Sequence, residues 1–556
     1  MSRVVIIGGV AGGMSAATRL RRLDPQVEIV VLEKSGHVSY ANCGLPYYVG
    51  GVIEDESSLL LQTPKSLHER FQIDVRIHSE VVELNRSKKT VSIKNLEKEE
   101  IYELAYDKLI ISTGARPIVP NIEGIGRALT LRTIEDVEAI VSAVEKQPKS
   151  AVIVGGGFIG LEIAENLVHR GIKTSIVEAA DQVLAPLDPE MASIVADELR
   201  AKGVELYLKS DVTEDRCSSV VLVDGSERPA DLVILAIGVR PDVSLAERSG
   251  LALGKKGGVV VDQFNLTNDS YIYAIGDVAE KIDEIDGSPT LVPLANIANR
   301  HGRIVADHII GKKIREVKTI ATAIVKVFDL TIATTGWNEK RLQTSGVDYL
   351  TIHSHPNSHA GYYPNAQQMT IKLLFAPKTG EIFGAQAIGV EGVDKRIDVI
   401  ATAIRGDISA PQLADLELAY APPYGSAKDP INMLGYMAEN VLTGLVQTAQ
   451  WNEVEKFIES GYQLVDVRSA SEFAGGGIPG ATNIPLDELR SRLPELRSKK
   501  ILVNCQVGQR GHTATMMLSN LGFEVANLDG GYLLWSRSPA NSQRERQLEK
   551  REKVHV

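Results

Sequence analysis

Ala151-Val-Ile-Val-Gly-Gly-Gly-Phe-Ile-Gly160 is the stretch on which the fold turns. Its first four residues are apolar, as a buried parallel strand requires, and Gly155-Gly-Gly-Phe-Ile-Gly160 matches GxGxxG in full. Helical spacing follows from Leu161 to about Arg170, and the next strand, Lys173–Val177, ends in Glu178. A strand, a glycine turn, a helix and an acid at the end of the next strand make a dinucleotide site. Pyrophosphate rests on the helix N-terminus beside Gly155, Gly157 and Gly160, and Glu178 takes a ribose hydroxyl. Ala179 and Ala180, where an arginine would hold a 2′-phosphate, favour NADH, with NADPH possible.

The pattern occurs twice. Arg3-Val-Val-Ile-Ile7 runs into Gly8-Gly9-Val10-Ala11-Gly12-Gly13, helical spacing follows over Met14–Arg22, and the strand Glu28–Leu32 ends in Glu33. Val10 stands where the middle glycine belongs. Two such units, about 147 residues apart, amount to an internal duplication. Two dinucleotides in one chain point to a flavin and a nicotinamide. Between the copies lies Ser39-Tyr-Ala-Asn-Cys-Gly-Leu-Pro46, where Cys43 is followed by a glycine and soon by a proline, so its thiol is predicted at a turn.

Length and composition bound the rest. The 556 residues exceed one core, and 44% hydrophobic with 24% charged residues is ordinary for a soluble protein. A net charge of −11 argues against nucleic acid or an anionic membrane as partner. The N-terminal apolar run is too short for a signal peptide, and no stretch is long enough to cross a membrane, so the expected compartment is the cytoplasm. Cysteines at 43, 217 and 505 form no CxxC pair and no disulfide framework, a pattern of single thiols. Cys217, with no glycine turn or helix start beside it, is read as structural or exposed. His353-Ser-His-Pro-Asn-Ser-His359 is read as a loop rather than a metal site, and no metal is expected.

Tyr106-Asp-Lys-Leu-Ile-Ile-Ser-Thr-Gly-Ala-Arg-Pro117 and Tyr271-Ile-Tyr-Ala-Ile-Gly-Asp277 are strands running into glycine turns. With the two glycine loops and the single cysteine, they resemble the pyridine nucleotide-disulfide oxidoreductase superfamily over about residues 1–445. The resemblance implies FAD held by Gly8, Gly9, Ala11, Gly12, Gly13, Glu33, Lys34, Thr113, Gly114, Gly276, Asp277 and Ala295. The two-cysteine reductases carry CxxxxC here, whereas this chain has one cysteine and must form its disulfide with a substrate or become a sulfenic acid. The first glycine loop lacks the histidine of the peroxidase and oxidase members, which counts against peroxide or oxygen. An NADH oxidase or peroxidase, or a flavin-containing thiol sensor, stays the alternative.

The Ser39–Pro46 segment resembles that of coenzyme A-disulfide reductase, in particular its fused form, NADH-dependent coenzyme A persulfide reductase. That resemblance implies a homodimer and a tyrosine contribution from Tyr362-Tyr363-Pro364 and from Tyr420-Ala-Pro-Pro-Tyr424, where a phenol near the sulfur meets the leaving thiolate. Either tyrosine of each segment, 362 or 363 and 420 or 424, stays open. Coenzyme A, as substrate or tightly bound ligand, would be met by Arg19, Arg22, Ser39, Asn42 and Gln62.

Past Gly444 a fresh α/β pattern begins. Asp466-Val-Arg468, Gly480-Ala-Thr-Asn-Ile-Pro485, Cys505-Gln-Val-Gly-Gln-Arg510 and Leu528-Asp-Gly-Gly-Tyr532 occur in the order of a rhodanese domain, which they resemble. A thiol at a strand end, wrapped by backbone N–H groups toward a helix, is an anion cradle for a thiolate or persulfide, with Arg510 beside it. The fold class expected is α/β: two Rossmann-type dinucleotide-binding domains, an α+β dimerisation domain and a C-terminal rhodanese-like α/β domain. The boundaries read as FAD-binding 1–150, NAD-binding 151–265, FAD-binding return 266–321, dimerisation 322–445, linker 446–452, rhodanese-like 453–540 and charged tail 541–556. The implied function is NADH-driven, FAD-dependent reduction of persulfide, polysulfide or coenzyme A persulfide or disulfide through Cys43, with sulfane sulfur handled at Cys505 and sulfide released.

Overall fold

A computed structural model of the chain describes residues 2–539 and 541. It separates into two units: Met1–Asp181 with Gly203–Ile320, and Gln182–Lys202 with the residues from Ala321 onward.

The first unit holds the duplicated βαβ pattern. Ile272–Ala274, Lys108–Ile111, Arg3–Ile7, Glu28–Leu32 and Asp74–Arg76 lie side by side in one parallel sheet, with Val5 opposite Val30 and Leu109. Glu205–Leu208, Lys173–Glu178, Ser150–Val154 and Leu232–Leu235 form the second. The central strands carry apolar residues on both faces because helices and a further layer cover both; Val4, Val5, Ile6, Val152 and Ile153 are wholly buried. Each parallel sheet is accompanied by a three-stranded antiparallel one, Ser79–Asn85 with Thr90–Asn95 and Ile101–Ala105, and Val212–Asp215 with Ser219–Leu222 and Glu227–Pro229. The helices Ala11–Leu23 and Ala295–Ile309 cross where Gly12 meets Gly302; a Cβ on Gly302 would stand 2.4 Å from the Gly12 carbonyl oxygen.

The second unit contains an antiparallel sheet ordered Ala323–Val327, Leu330–Gly336, Ile382–Gly389, Met369–Phe375 and Leu350–Ser354, and a parallel sheet ordered Gln447–Ala449, Glu524–Leu528, Lys500–Asn504, Gln463–Asp466 and Thr482–Asn483. Three sequence readings need correction here. Residues 446–452 are not a free linker: Gln447–Ala449 pairs in parallel with Ala526–Leu528 and is the edge strand of the C-terminal sheet. The helix Pro189–Ala201, read as part of the NAD-binding stretch, falls in the second unit, where it packs on Ala323–Val327, Ile382–Gly389 and the helix Gly531–Arg537. The histidine segment is a loop only from His355 onward. His353 lies on a strand, and His353, His355 and His359 are buried, each ring bonded to protein. The charged tail lies outside the described residues apart from Asn541.

Beneath these histidines is a buried charge cluster. The Lys372 ammonium sits 2.8 Å from Asp188 and 3.0 Å from Glu339, and also bonds Glu190. Burial alone would favour the neutral amine, but the Glu190 and Asp188 carboxylates outweigh it and hold Lys372 protonated. The three carboxylates could gather around a metal ion, yet the ammonium already occupies that focus.

Candidate active site

Cys43 lies in a single 3-10 turn, Asn42–Gly44, that leads into the short helix Leu45–Gly50. That helix is fixed against Phe158–His169 of the second dinucleotide fold. A Cβ on Gly50 would stand 1.9 Å from the Asn166 side-chain oxygen, and Arg170 donates to the Val49 carbonyl at 3.1 Å. The thiol is open to solvent on one side and packed by protein on the others. Burial pushes it above its ordinary pKa, the Glu162 carboxylate adds to that, Arg132 pulls it down, and Asp277 raises it further. Arg132 is itself held by Asp277 at 2.9 Å, and its carbonyl accepts from the Asn42 amide at 3.1 Å. Glu162 accepts from the Tyr47 hydroxyl at 3.3 Å, and burial raises its carboxyl to about 7. The thiol is therefore acted on by one cation, Arg132, and two carboxyls, of which Glu162 titrates near neutrality.

The two glycine loops are built alike. Glu33 accepts from the N–H of Gly9 at 2.8 Å and of Ser35 at 2.9 Å; Glu178 accepts from Gly156 at 2.7 Å and Ala180 at 2.8 Å. Each carboxylate oxygen keeps a lone pair for a ribose hydroxyl. Gly13 and Gly160 permit the close return of the helix, since a Cβ would stand 2.0 and 2.1 Å from the carbonyl oxygens of Gly8 and Gly155. Gly157 is different: a Cβ there would meet no protein atom within 4 Å. The protein does not need that glycine, so the space above it fits an approaching pyrophosphate. Val10, the counterpart of Gly157, has φ −109°, so the loop does not ask for a left-handed residue there. Lys34 is exposed and 3.9 Å from Asp242, Thr113 donates to the Asp242 carbonyl at 2.8 Å, and Ala295 opens its helix. Gly114 and Gly276 turn the chain with positive φ.

The coenzyme A candidates are dispersed in their engagements. Arg19 is tied to Asp307 at 2.8 Å through part of its guanidinium, and Arg22 is exposed. Ser39 has φ 50° and its carbonyl accepts from Leu61, while Gln62 accepts from the Ser66 hydroxyl at 3.0 Å. Of the four tyrosines, the second unit joins one from each segment: the hydroxyls of Tyr362 and Tyr420 are 3.2 Å apart and exposed. Tyr363 meets His359 edge-on at 5.6 Å, and Tyr424 is exposed without reaching this pair.

Cys505 follows the strand Lys500–Asn504 and is wholly buried. Its carbonyl accepts from Tyr532, whose segment closes under the loop. The helix Gln509–Asn520 starts inside the loop, and its first N–H with a carbonyl partner is that of His512, bonded to Gly508. Earlier loop N–H groups are free to face an anion. Arg510 reaches Glu472 with both terminal nitrogens, at 2.7 and 2.6 Å.

Residues 2–302 match the family model for pyridine nucleotide-disulphide oxidoreductase, 322–429 that family's dimerisation domain, and 450–538 a rhodanese-like domain. The chain belongs to the pyridine nucleotide-disulphide oxidoreductase family. Among curated relatives, a coenzyme A disulfide reductase of Staphylococcus aureus is 35% identical over 441 residues, 79% of this chain and all of that one. The reduced CoADR-RHD of Bacillus anthracis superposes with TM-score 0.95 at 48% identity, over 97% of this chain and 98% of the other. A NAD-dependent persulfide reductase from A. fulgidus gives TM-score 0.91 at 38% identity, over 96% and 100%. Membership of this oxidoreductase family carries FAD and NADH as the cofactors, and the two glycine cradles fit them. Among the described residues no helix is long and apolar enough to cross a membrane.

Sequence reasoning missed Arg132, Glu162, Tyr47 and Glu472. Glu162 alone left a signal, since it stands two residues past the GxGxxG loop, just beyond the first turn of its helix.

Proposed function

We propose that this oxidoreductase uses NADH to reduce the sulfur–sulfur bond of coenzyme A persulfide or disulfide at Cys43, and that Cys505 handles the sulfane sulfur. The observation that carries this is Cys43 itself: a solvent-open thiol between Arg132 and Glu162 whose only fellow cysteines, 217 and 505, are free, so that its disulfide partner comes from the substrate. The Cys43 thiolate attacks the inner sulfur of the persulfide; a Cys43–coenzyme A disulfide forms and hydrosulfide leaves with the electron pair. Bound FAD relays the two electrons from NADH that reopen this disulfide. Arg132 offsets the charge on the thiolate, and the Tyr362–Tyr420 hydroxyl pair, in a homodimer assembled through residues 322–429, supplies the proton to the departing coenzyme A thiolate. Arg19, Arg22, Ser39, Asn42 and Gln62 are the residues proposed to hold coenzyme A. A reducing cytoplasm suits a single unpaired thiol of this kind.

The test is anaerobic NADH consumption with coenzyme A persulfide and, separately, with coenzyme A disulfide, quantifying sulfide in the first. Cys43→Ser is expected to lose turnover on both while NADH still bleaches the flavin. Retained turnover overturns the reading.

A further inference from the structure

Two arginines flank the Cys505 loop, and each is already neutralised. Arg468 is wholly buried and bonds Asp466 through Nε at 3.0 Å to both oxygens and through a terminal nitrogen at 2.8 Å. Its remaining donors go to the Gly476 carbonyl at 2.6 Å and the Gln506 side chain at 3.3 Å, and its guanidinium lies 4.0 Å from the Tyr532 ring centroid. Arg510 is held fork to fork by Glu472, whose carboxyl the pair keeps down at about 2, so the ion pair persists at every working pH. The two arginines and their two carboxylates together carry no net charge. What remains for an anion is the set of backbone donors at the helix start, enough for the sulfur of Cys505 itself.

We propose that Glu472, by occupying Arg510, makes the Cys505 site selective for thiol-borne persulfides over small inorganic sulfane dianions such as thiosulfate. This rests on the sulfane-sulfur role proposed above. A dianion arriving beside a thiolate is repelled by it, and no unpaired guanidinium offsets that repulsion. A persulfide brings at most one charge at its sulfur end, and the phosphates of a carrier such as coenzyme A stay remote on a long arm. In the transfer, the Cys505 thiolate attacks the outer sulfur of R–S–SH; the new S–S bond forms, the old one breaks, and RS⁻ leaves with the electron pair. No external oxidant or reductant is consumed.

The decisive variant is Glu472→Gln. Glu472 is also the third residue of a capping box with Ser469, at 2.9 and 3.3 Å, and glutamine fills that role, so the helix Ala470–Ala474 keeps its cap. Sulfur transfer to cyanide is followed in flavin-loaded, full-length protein without NADH, with glutathione persulfide or thiosulfate as donor and the Cys505 mass checked for one added sulfur. The wild type is expected to favour the persulfide in kcat/KM by about a hundredfold, and Glu472→Gln to lower the thiosulfate KM about tenfold with little change in kcat. Adding Arg510→Gln to that variant should erase the gain. A wild type equally efficient with both donors, or a Glu472→Gln enzyme whose thiosulfate KM stays within about twofold, overturns the selectivity alone. Absence of added sulfur on Cys505 from either donor overturns the sulfane role and the selectivity with it.

Discussion

His353 grips Asp529 with two bonds: its ring Nδ1–H lies 2.7 Å from one carboxylate oxygen, and its backbone N–H donates to the other at 3.0 Å. Its Nε2 faces Glu190 at 3.2 Å. The imidazole thereby ties the Leu528-Asp-Gly-Gly-Tyr532 loop, which closes under Cys505, to a strand of the antiparallel sheet. His355 adds a second tie, 3.0 Å from the Gly530 carbonyl.

Burial alone would depress the His353 pKa, but Asp529 and then Glu190 outweigh it and lift it to about 9. Because the folded value lies above the unfolded one, near 6.5, the ring stabilises the fold in full below about pH 6.5, and that contribution disappears as pH rises through about 9. Unfolding midpoints of the full chain should fall between pH 7 and 10, and His353→Gln should flatten that slope. Asp529→Asn, which strips a buried cation of its partner, should cost about 3 kcal/mol in urea unfolding.

Lys372→Met should be more damaging still. It leaves Asp188, Glu190 and Glu339 facing one another with only the His353 ring, beside Glu190, to offset them; two of the three are buried, and the cost is about 3–5 kcal/mol. Their oxygens lie within 4.8 Å of one another, so the vacated focus becomes a divalent-ion site. Millimolar calcium should raise the melting temperature of the smaller Lys372→Ala variant and leave the wild type unmoved.

The two alanine variants of the second glycine loop should separate folding from binding. Gly160→Ala pushes a Cβ to 2.1 Å from the Gly155 carbonyl oxygen and should destabilise by about 1–3 kcal/mol. Gly157→Ala meets only open space in the protein, so its melting temperature should hold while the NADH KM rises about tenfold through lost approach to the pyrophosphate. Thermal melts and steady-state kinetics on both variants decide it.

Glu162 and Arg132 should move the Cys43 thiol in opposite directions. Removing the carboxylate charge in Glu162→Gln should shift the pH profile of iodoacetamide alkylation toward acid, and Arg132→Met should shift it toward alkali. Flattening of the inflection near pH 7 in Glu162→Gln would assign it to that carboxyl. Profiles that coincide with the wild type would remove both residues from the thiol's electrostatics.

The duplicated dinucleotide folds were legible because part of what they require is local: Gly13 and Gly160 answer to the carbonyls of Gly8 and Gly155 in their own loops, and Glu33 and Glu178 stand at the end of the adjacent strand, whereas Gly8 and Gly155 answer to Ser112 and Ala236 on distant segments. Cys43 was legible for the same reason, as a turn thiol between glycine and proline. Arg132, Glu162 and Asp277 converge on it from three different segments, and no spacing encodes that meeting. The Lys372 cluster draws on residues from 188 to 372 and, through His353, on Asp529, so a helix of the nucleotide-binding stretch belongs to another unit without any sign in its own sequence. Gln447–Ala449 read as a linker because three residues pairing on one side are too few to show a strand's alternation. Arg510 stood out as an expected cation, but its neutralisation by Glu472 depends on a contact 38 residues away.

The Asp529 anchor also makes the rhodanese-like module a structural support for the antiparallel sheet. A chain cut back to residue 445 would keep His353, shorn of the carboxylate that lifts its pKa and exposed along the flank that the rhodanese-like module covers. The truncated chain would hold that ring by Glu190 alone, so the module's removal weakens the sheet it leaves behind as well as ending its own chemistry.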